Sequence, residues 1–166
     1  MRRILKIFAV FLLISLHADI FAQTVSGKVT HIKDGDSFIM QVNGKSLEIR
    51  LDGVDCPEKG QPFSAKSKAF SASLIYNRNV SVKIKGYDKY KRALGIVYIS
   101  ETRILNEELL QVGLAWHFKR FNKMEHLAKM ELKARKNRIG LWDDPHPIPP
   151  WDYRKLRNNK MQRNPN

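Results

Sequence analysis

Between Thr24 and Leu51 apolar residues keep one parity within each run: Val25 and Val29, then Phe38, Met40 and Val42, then Leu47, Ile49 and Leu51. Successive side chains of a strand point to opposite faces, so this alternation predicts three strands, each with one face toward a core. Asn43-Gly44 lies between the second and third runs. That pair is a strong two-residue hairpin signal, because both central positions of such a turn need positive φ. Asp34-Gly35-Asp36 offers a comparable turn between the first two runs. Val80, Val82 and Ile84, followed by Leu94, Ile96 and Tyr98, predict two more strands joined through the polar loop Gly86 to Ala93.

Elsewhere the period lengthens to that of helices. Pro62 sits where a helix can begin, and Phe63, Phe70 and Leu74 share one face of the segment after it. Ile104 to Val112 reads as a second helix ending at Gly113. A third is expected from about Lys123 to Arg138, with Gly140 as its C-terminal cap and with Glu125–Lys129 and Glu131–Arg135 as supporting pairs. Three strands, a helix and two more strands is the order of an α+β fold, a five-stranded OB-fold β-barrel, here with three helices. Beyond it, Pro145, Pro147, Pro149 and Pro150 predict an extended path, with Trp142 and Trp151 pinning it to the domain and disorder after Arg157.

The first residues carry a different pattern. Arg2, Arg3 and Lys6 precede an apolar run from Ile7 to Leu16, which reads as an export signal with a cleavage position after Ala22. The run is too short to span a bilayer comfortably. The expected division is therefore a signal peptide over 1–22, the barrel domain over 23–142 and a Pro-rich, basic tail over 143–166. An exported protein, periplasmic or secreted and without stable membrane association after cleavage, is the expectation. Cys56 is the only cysteine of the 166 residues, so no internal disulfide can form.

Charge then narrows the partners. Lys and Arg number 30 against 16 Asp and Glu, a formal net charge of +14. A surface of that sign gains affinity for nucleic acid by releasing counterions, and an anionic membrane would compete for it. Charge alone does not separate the two.

In so basic a chain the acidic residues stand out, and they gather in two turns: Asp34 and Asp36 in one, Asp52, Asp55 and Glu58 in the other. Hard cations such as Ca²⁺ and Mg²⁺ take carboxylate, carbonyl and water oxygens, so two such loops can share an ion. Asp also favours turns for local reasons, because its side chain bonds nearby backbone groups. Arg50 falls on the strand face opposite Ile49 and Leu51, where it can meet a groove or solvent. Arg92 lies in the basic loop Tyr87-Asp88-Lys89-Tyr90-Lys91-Arg92, and its planar fork suits phosphate. Tyr87, Tyr90, Trp116 and Phe118 can stack on bases or pack on the barrel.

Taken together, four segments resemble successive motifs of the staphylococcal nuclease (thermonuclease) family. They are Asp34-Gly35-Asp36-Ser37, Arg50 with Asp55-Cys56-Pro57-Glu58, Asp88 to Arg92, and Asn106-Glu107-Glu108-Leu109-Leu110-Gln111-Val112-Gly113-Leu114-Ala115. The likeness runs from Val25 to Trp142. It implies a Ca²⁺-dependent endonuclease acting on DNA and RNA with little sequence specificity, and a monomer is the expectation. Asp36 and Asp55 would hold the metal with the Cys56 backbone carbonyl, and Asp34 would act behind them. Glu58 would orient or deprotonate water, and Arg50 and Arg92 would hold the scissile phosphate. Lys89, Tyr90 and Trp116 would meet substrate. Two residues depart from the family pattern: Cys56 stands where Thr is usual, and Lys91 where Gly is frequent. The competing readings are a non-catalytic OB-fold nucleic-acid-binding protein and a basic protein of membranes or cell walls.

Overall fold

The structure, a computed structural model, describes residues 23–163; the expected export signal lies outside them. The alternating runs become β1 (Thr24–Ile32), β2 (Ser37–Val42) and β3 (Lys45–Leu51), and the later pair becomes β5 (Asn79–Tyr87) and β6 (Ala93–Tyr98). Asn43 and Gly44 take φ of 49° and 77°, the left-handed conformation that turns β2 back into β3. β1, β2 and β3 form an antiparallel meander, β5 pairs with both β1 and β6, and β3 runs parallel to β6 to close a five-stranded barrel.

One parity of each strand fills the barrel: Val29, Phe38, Met40, Ile49, Leu51 and Val82 are all buried. Each such side chain contributes about 1.5–3 kcal/mol when taken out of water. The opposite parity keeps Arg50 off that core, with Arg50 paired in register to Ser37 on one side and Leu94 on the other.

Two elements escape the sequence pattern because they are two residues long. β4 (Val54–Asp55) pairs with β7 (Trp116–His117), a small ribbon that fixes Asp55 beside the barrel mouth. The helices α1 (Ser64–Ile75), α2 (Leu105–Gln111) and α3 (Glu125–Lys136) match the three expected. In α1, however, the fully buried stripe is Ser67, Ser71 and Ile75, and Phe63, Phe70 and Leu74 are only partly covered. The reason is local. Ser71 Oγ donates to the Gly35 carbonyl at 2.5 Å, and a Cβ on Gly35 would lie 1.9 Å from Ser67 Oγ. Only small side chains allow α1 to press so closely on the Asp34–Asp36 turn.

Asn106 of α2 ties helix to barrel, donating to the carbonyls of Asp52 (2.8 Å) and Gly95 (3.2 Å) and accepting from Val97 N–H. In α3, Glu131 bonds Arg135 at 3.1 Å and Lys119 at 2.7 Å, so a buried carboxylate is neutralised from two sides.

The tail corrects the expectation of an extended, then disordered, end. After a short 3-10 helix at Gly140–Asp143 the chain forms a fourth helix, α4 (Pro150–Arg163). Pro150 occupies its first position, where a missing N–H costs nothing, so the last proline of the run starts a helix. Trp142 and Trp151 do pin the segment: Trp116 meets them edge-on, with ring centres 4.3 and 5.7 Å away. Among the described residues no helix is long and apolar enough to cross a membrane.

Candidate active site

The two acidic turns converge at the mouth of the barrel. Asp34 shapes the first: its Oδ1 accepts from Ser37 Oγ at 2.6 Å and from Asp36 N–H at 3.2 Å, a turn closed by a side chain in place of a carbonyl. Burial works against ionisation of Asp34, but the bonds from Asp36 and Ser37 and the charge of Arg50 outweigh it and lower its pKa.

Asp36, 5% exposed, reaches across to the second turn, where Cys56 N–H donates to its Oδ2 at 2.5 Å. Arg50 lies between the two turns, touching Asp36 Oδ2 through Nη1 and donating to Asp55 Oδ1 through Nη2 at 2.5 Å. Burial raises the Asp36 pKa well above the ordinary value; Arg50 opposes this, and the charges of Asp34 and Asp55 add to it. Burial likewise disfavours the charged form of Arg50, yet Asp36 and Asp55 more than reverse that and hold it protonated. Arg50 Nη1 meets Asp36 as an ion pair and makes no hydrogen bond of its own.

These groups suit a hard divalent cation. The donors on offer are carboxylates of Asp36 and Asp55 and the neighbouring main-chain carbonyl of Cys56, all oxygen, and the charges of the neighbouring carboxylates add to what raises Asp36. The side-chain carboxylates meet arginines: among the described residues no three His, Cys, Asp or Glu side chains converge as a ready-made ligand group. The Cys56 thiol is buried, and burial with the nearby Asp36 charge raises its pKa, so it stays protonated. A thiolate nucleophile is not built here.

A cleft of about 700 Å³ opens from this cluster and brings Asp34, Asp36, Arg50 and Glu58 together with Lys89, Tyr90 and Arg92. Arg92 is anchored by its own loop, Nε and Nη2 both lying 2.7 Å from Asp88 Oδ2, while Asp88 Oδ1 accepts the N–H groups of Tyr90 and Arg92. Lys91, the departure from glycine, takes φ 64° in the turn that brings Arg92 inward. Tyr90 is 67% exposed, with Lys89 Nζ 4.9 Å and Arg92 5.5 Å from its ring.

Trp116 does not line this cleft; it is 6% exposed and packs against Trp142 and Trp151. The aromatics that do line the cleft with Tyr90 are Phe118, Phe121 and Trp151. Sequence patterns do not single out two further residues. Asp88 is visible only as part of a motif, and Arg154 arrives from α4, donating to Glu58 Oε1 at 2.5 Å and to Asp55 Oδ2 at 2.8 Å.

Comparison with known proteins places the chain in a family of nucleases. The family described as staphylococcal nuclease homologue matches residues 48–144. A micrococcal nuclease of Shigella flexneri is 34% identical over 143 residues, covering 80% of this chain and 82% of that protein. An uncharacterized endonuclease of Haemophilus influenzae is 36% identical over 135 residues, 81% of this chain and 75% of its own. A staphylococcal-like nuclease of Arabidopsis thaliana is 34% identical over 115 residues, which are 69% of this chain and 35% of that longer protein.

Proposed function

The chain belongs to the staphylococcal nuclease family and is a phosphodiester-cleaving nuclease, and from that premise we propose a Ca²⁺-dependent endonuclease that cuts both DNA and RNA with little base selectivity. The observation that carries the proposal is the convergence of Asp36, Asp55 and Arg50 at the head of a cleft shared with Glu58 and Arg92.

Each group has a distinct task. Glu58 takes the proton of the attacking water, since a carboxylate within hydrogen-bond reach of that water is the base the cleft provides. Arg50 and Arg92 grip the non-bridging phosphoryl oxygens, whose charge grows as water attacks, so their attraction strengthens toward the transition state. Arg92 can do this without leaving its anchor, because Asp88 engages only Nε and Nη2. Asp36 and Asp55 hold the cation, with the Cys56 carbonyl beside them and Asp34 fixing the turn behind. Bound there, Ca²⁺ supplies Lewis-acid stabilisation of the phosphoryl oxygens. All these contacts are to phosphate, which DNA and RNA share. By family resemblance the products end in a 3′-phosphate.

We extend the proposal to export, on the basic and apolar N-terminal pattern, and to a monomeric enzyme. Mass spectrometry of the exported protein should find a new N-terminus near Gln23. Purified protein should digest single-stranded DNA, duplex DNA and RNA with Ca²⁺ and stop when a chelator is added. Binding without cleavage under all conditions would overturn the assignment, and equal cleavage with the chelator would overturn the calcium requirement.

A further inference from the structure

The loop that carries Glu58 lies between β4 and α1, with no regular structure across residues 56–60. A Glu side chain on such a loop has many rotamers, yet a general base must be held close to its water: an error of about 1 Å can cost on the order of 10²-fold in rate. Something must hold it.

The C-terminal segment meets this loop at three points. Gln61, 7% exposed, accepts from Glu58 N–H at 3.0 Å and donates to the Ile148 carbonyl at 2.6 Å. The Tyr153 hydroxyl covers Gly60, 3.3 Å from where a Cβ would stand. Arg154 then forks across the acidic groups, Nη1 on Glu58 Oε1 and Nη2 on Asp55 Oδ2. The helix that delivers Arg154 is fastened by Trp151, stacked on Phe118 with ring centres 5.3 Å apart and planes 9° from parallel.

Resting on the assignment of Glu58 as the base, we propose that Arg154 is a positioning residue of the nuclease site, which holds the Glu58 carboxylate at a fixed place relative to Asp55. With a weaker third bond from Nη1 to Asp55 Oδ1 at 3.3 Å, three charge-assisted hydrogen bonds leave one planar group, directional as well as strong, so they restrict both carboxylates at once. The fork does not block the base. Its hydrogen bond to Glu58 goes to Oε1, and Arg157 Nη1, 3.9 Å from Oε2, pairs with that oxygen only by charge, beyond hydrogen-bond reach. Oε2 therefore keeps its capacity to accept from water.

The test uses the full chain with Arg154→Ala, Arg154→Lys and Trp151→Ala, measuring kcat and KM on single-stranded DNA and backbone amide exchange at Glu58 and Gln61. Arg154→Ala should lower kcat by about 10- to 100-fold, the loss typical when a supporting group is removed, with KM changed little. Arg154→Lys should recover part of it, and Trp151→Ala should act in the same direction as Arg154→Ala. Exchange at Glu58 and Gln61 should quicken in Arg154→Ala while the barrel strands stay protected. Wild-type kcat in Arg154→Ala would overturn the proposal, and a higher kcat would overturn it and identify a self-blocking arm instead. A rise in KM with unchanged kcat would also overturn it, making Arg154 a phosphate contact. If the wild-type protein cleaves nothing, the nuclease assignment fails, and unchanged amide exchange in Arg154→Ala would separately refute the positioning role.

Discussion

Asp88 accepts two hydrogen bonds from Arg92, one from its backbone N–H and one from Nε, and pairs with Nη2 by charge, so a single carboxylate sets both the path of the loop and the aim of the side chain. Burial opposes ionisation of Asp88, but the bonds from Arg92 and Tyr90 outweigh it and lower its pKa. The carboxylate is therefore charged wherever the protein is neutral or mildly acidic. Its stabilising effect is complete above the ordinary carboxylate pKa and fades only as pH falls through the lowered value. Asp88→Ala should release Arg92 and reduce kcat by roughly 10-fold or more, by loss of pre-orientation. Steady-state kinetics would check it, and unaltered kcat would show that Arg92 orients itself.

Glu58→Gln keeps the shape of the base and removes its function. Turnover should fall by about 10² to 10⁴, with affinity for DNA little altered. Arg50→Ala and Arg92→Ala remove phosphate clamps, and losses of about 10³ to 10⁵ are expected by analogy with other phosphoryl-transfer arginines. Arg50→Ala should also destabilise the fold, because it leaves Asp36 and Asp55 buried with less compensation. Saturating-substrate rates, with folding followed by circular dichroism, separate the two effects. Wild-type rates in all three variants would refute the assigned site.

Lys91 holds φ 64°, a conformation that costs an L-residue about 1–2 kcal/mol and glycine almost nothing. Against this, glycine adds about 0.5–1 kcal/mol of freedom to the unfolded chain. Lys91→Gly should therefore raise unfolding stability by up to about 1 kcal/mol, and Lys91→Val should lower it. Urea denaturation decides the sign. A loss of stability in Lys91→Gly would mean that the lysine side chain supplies an interaction worth more than its backbone strain.

His117 is buried at the β4–β7 ribbon, and burial lowers its pKa despite the Asn122 hydrogen bond and the Glu131 charge, which favour the protonated form. A histidine held neutral in the fold binds a proton more readily once unfolded. Its contribution is complete above the ordinary histidine pKa, about 6.5, and is lost as pH falls from there toward the lowered folded value. Urea midpoints should drop between pH 7.5 and 5.5, and His117→Gln should flatten that slope. An identical slope in His117→Gln would assign the acid sensitivity to other groups.

Much of this architecture is legible in the sequence because it is written in local patterns. Strand parity separates Arg50 from Ile49 and Leu51, and the Asn43-Gly44 turn fixes the register of β2 on β3. The acidic turns can be seen, and so can the loop of Arg92. The features that escape are long-range. Arg154 reaches a residue 96 positions earlier, and nothing in Pro150 to Arg157 forecasts which surface Trp151 will find. The proline run argues for extension until one notices that its last member can start a helix. The buried stripe of α1 is largely serine, which hydrophobic periodicity cannot register, and Trp116 belongs to a strand of two residues, too short to show alternation.

The chain contains three tryptophans, and Trp116, Trp142 and Trp151 all lie at the junction between the barrel domain and α4. Arg135 adds a cation over two of the rings, 4.6 Å from Trp116 and 3.8 Å from Trp142. The intrinsic fluorescence of this protein is thus a local optical signal from one seam, with no tryptophan inside the barrel to dilute it. Emission should shift to longer wavelength when the C-terminal helix lifts, even while every barrel strand remains paired, so that a fluorescence melt and a circular-dichroism melt of the same sample need not coincide.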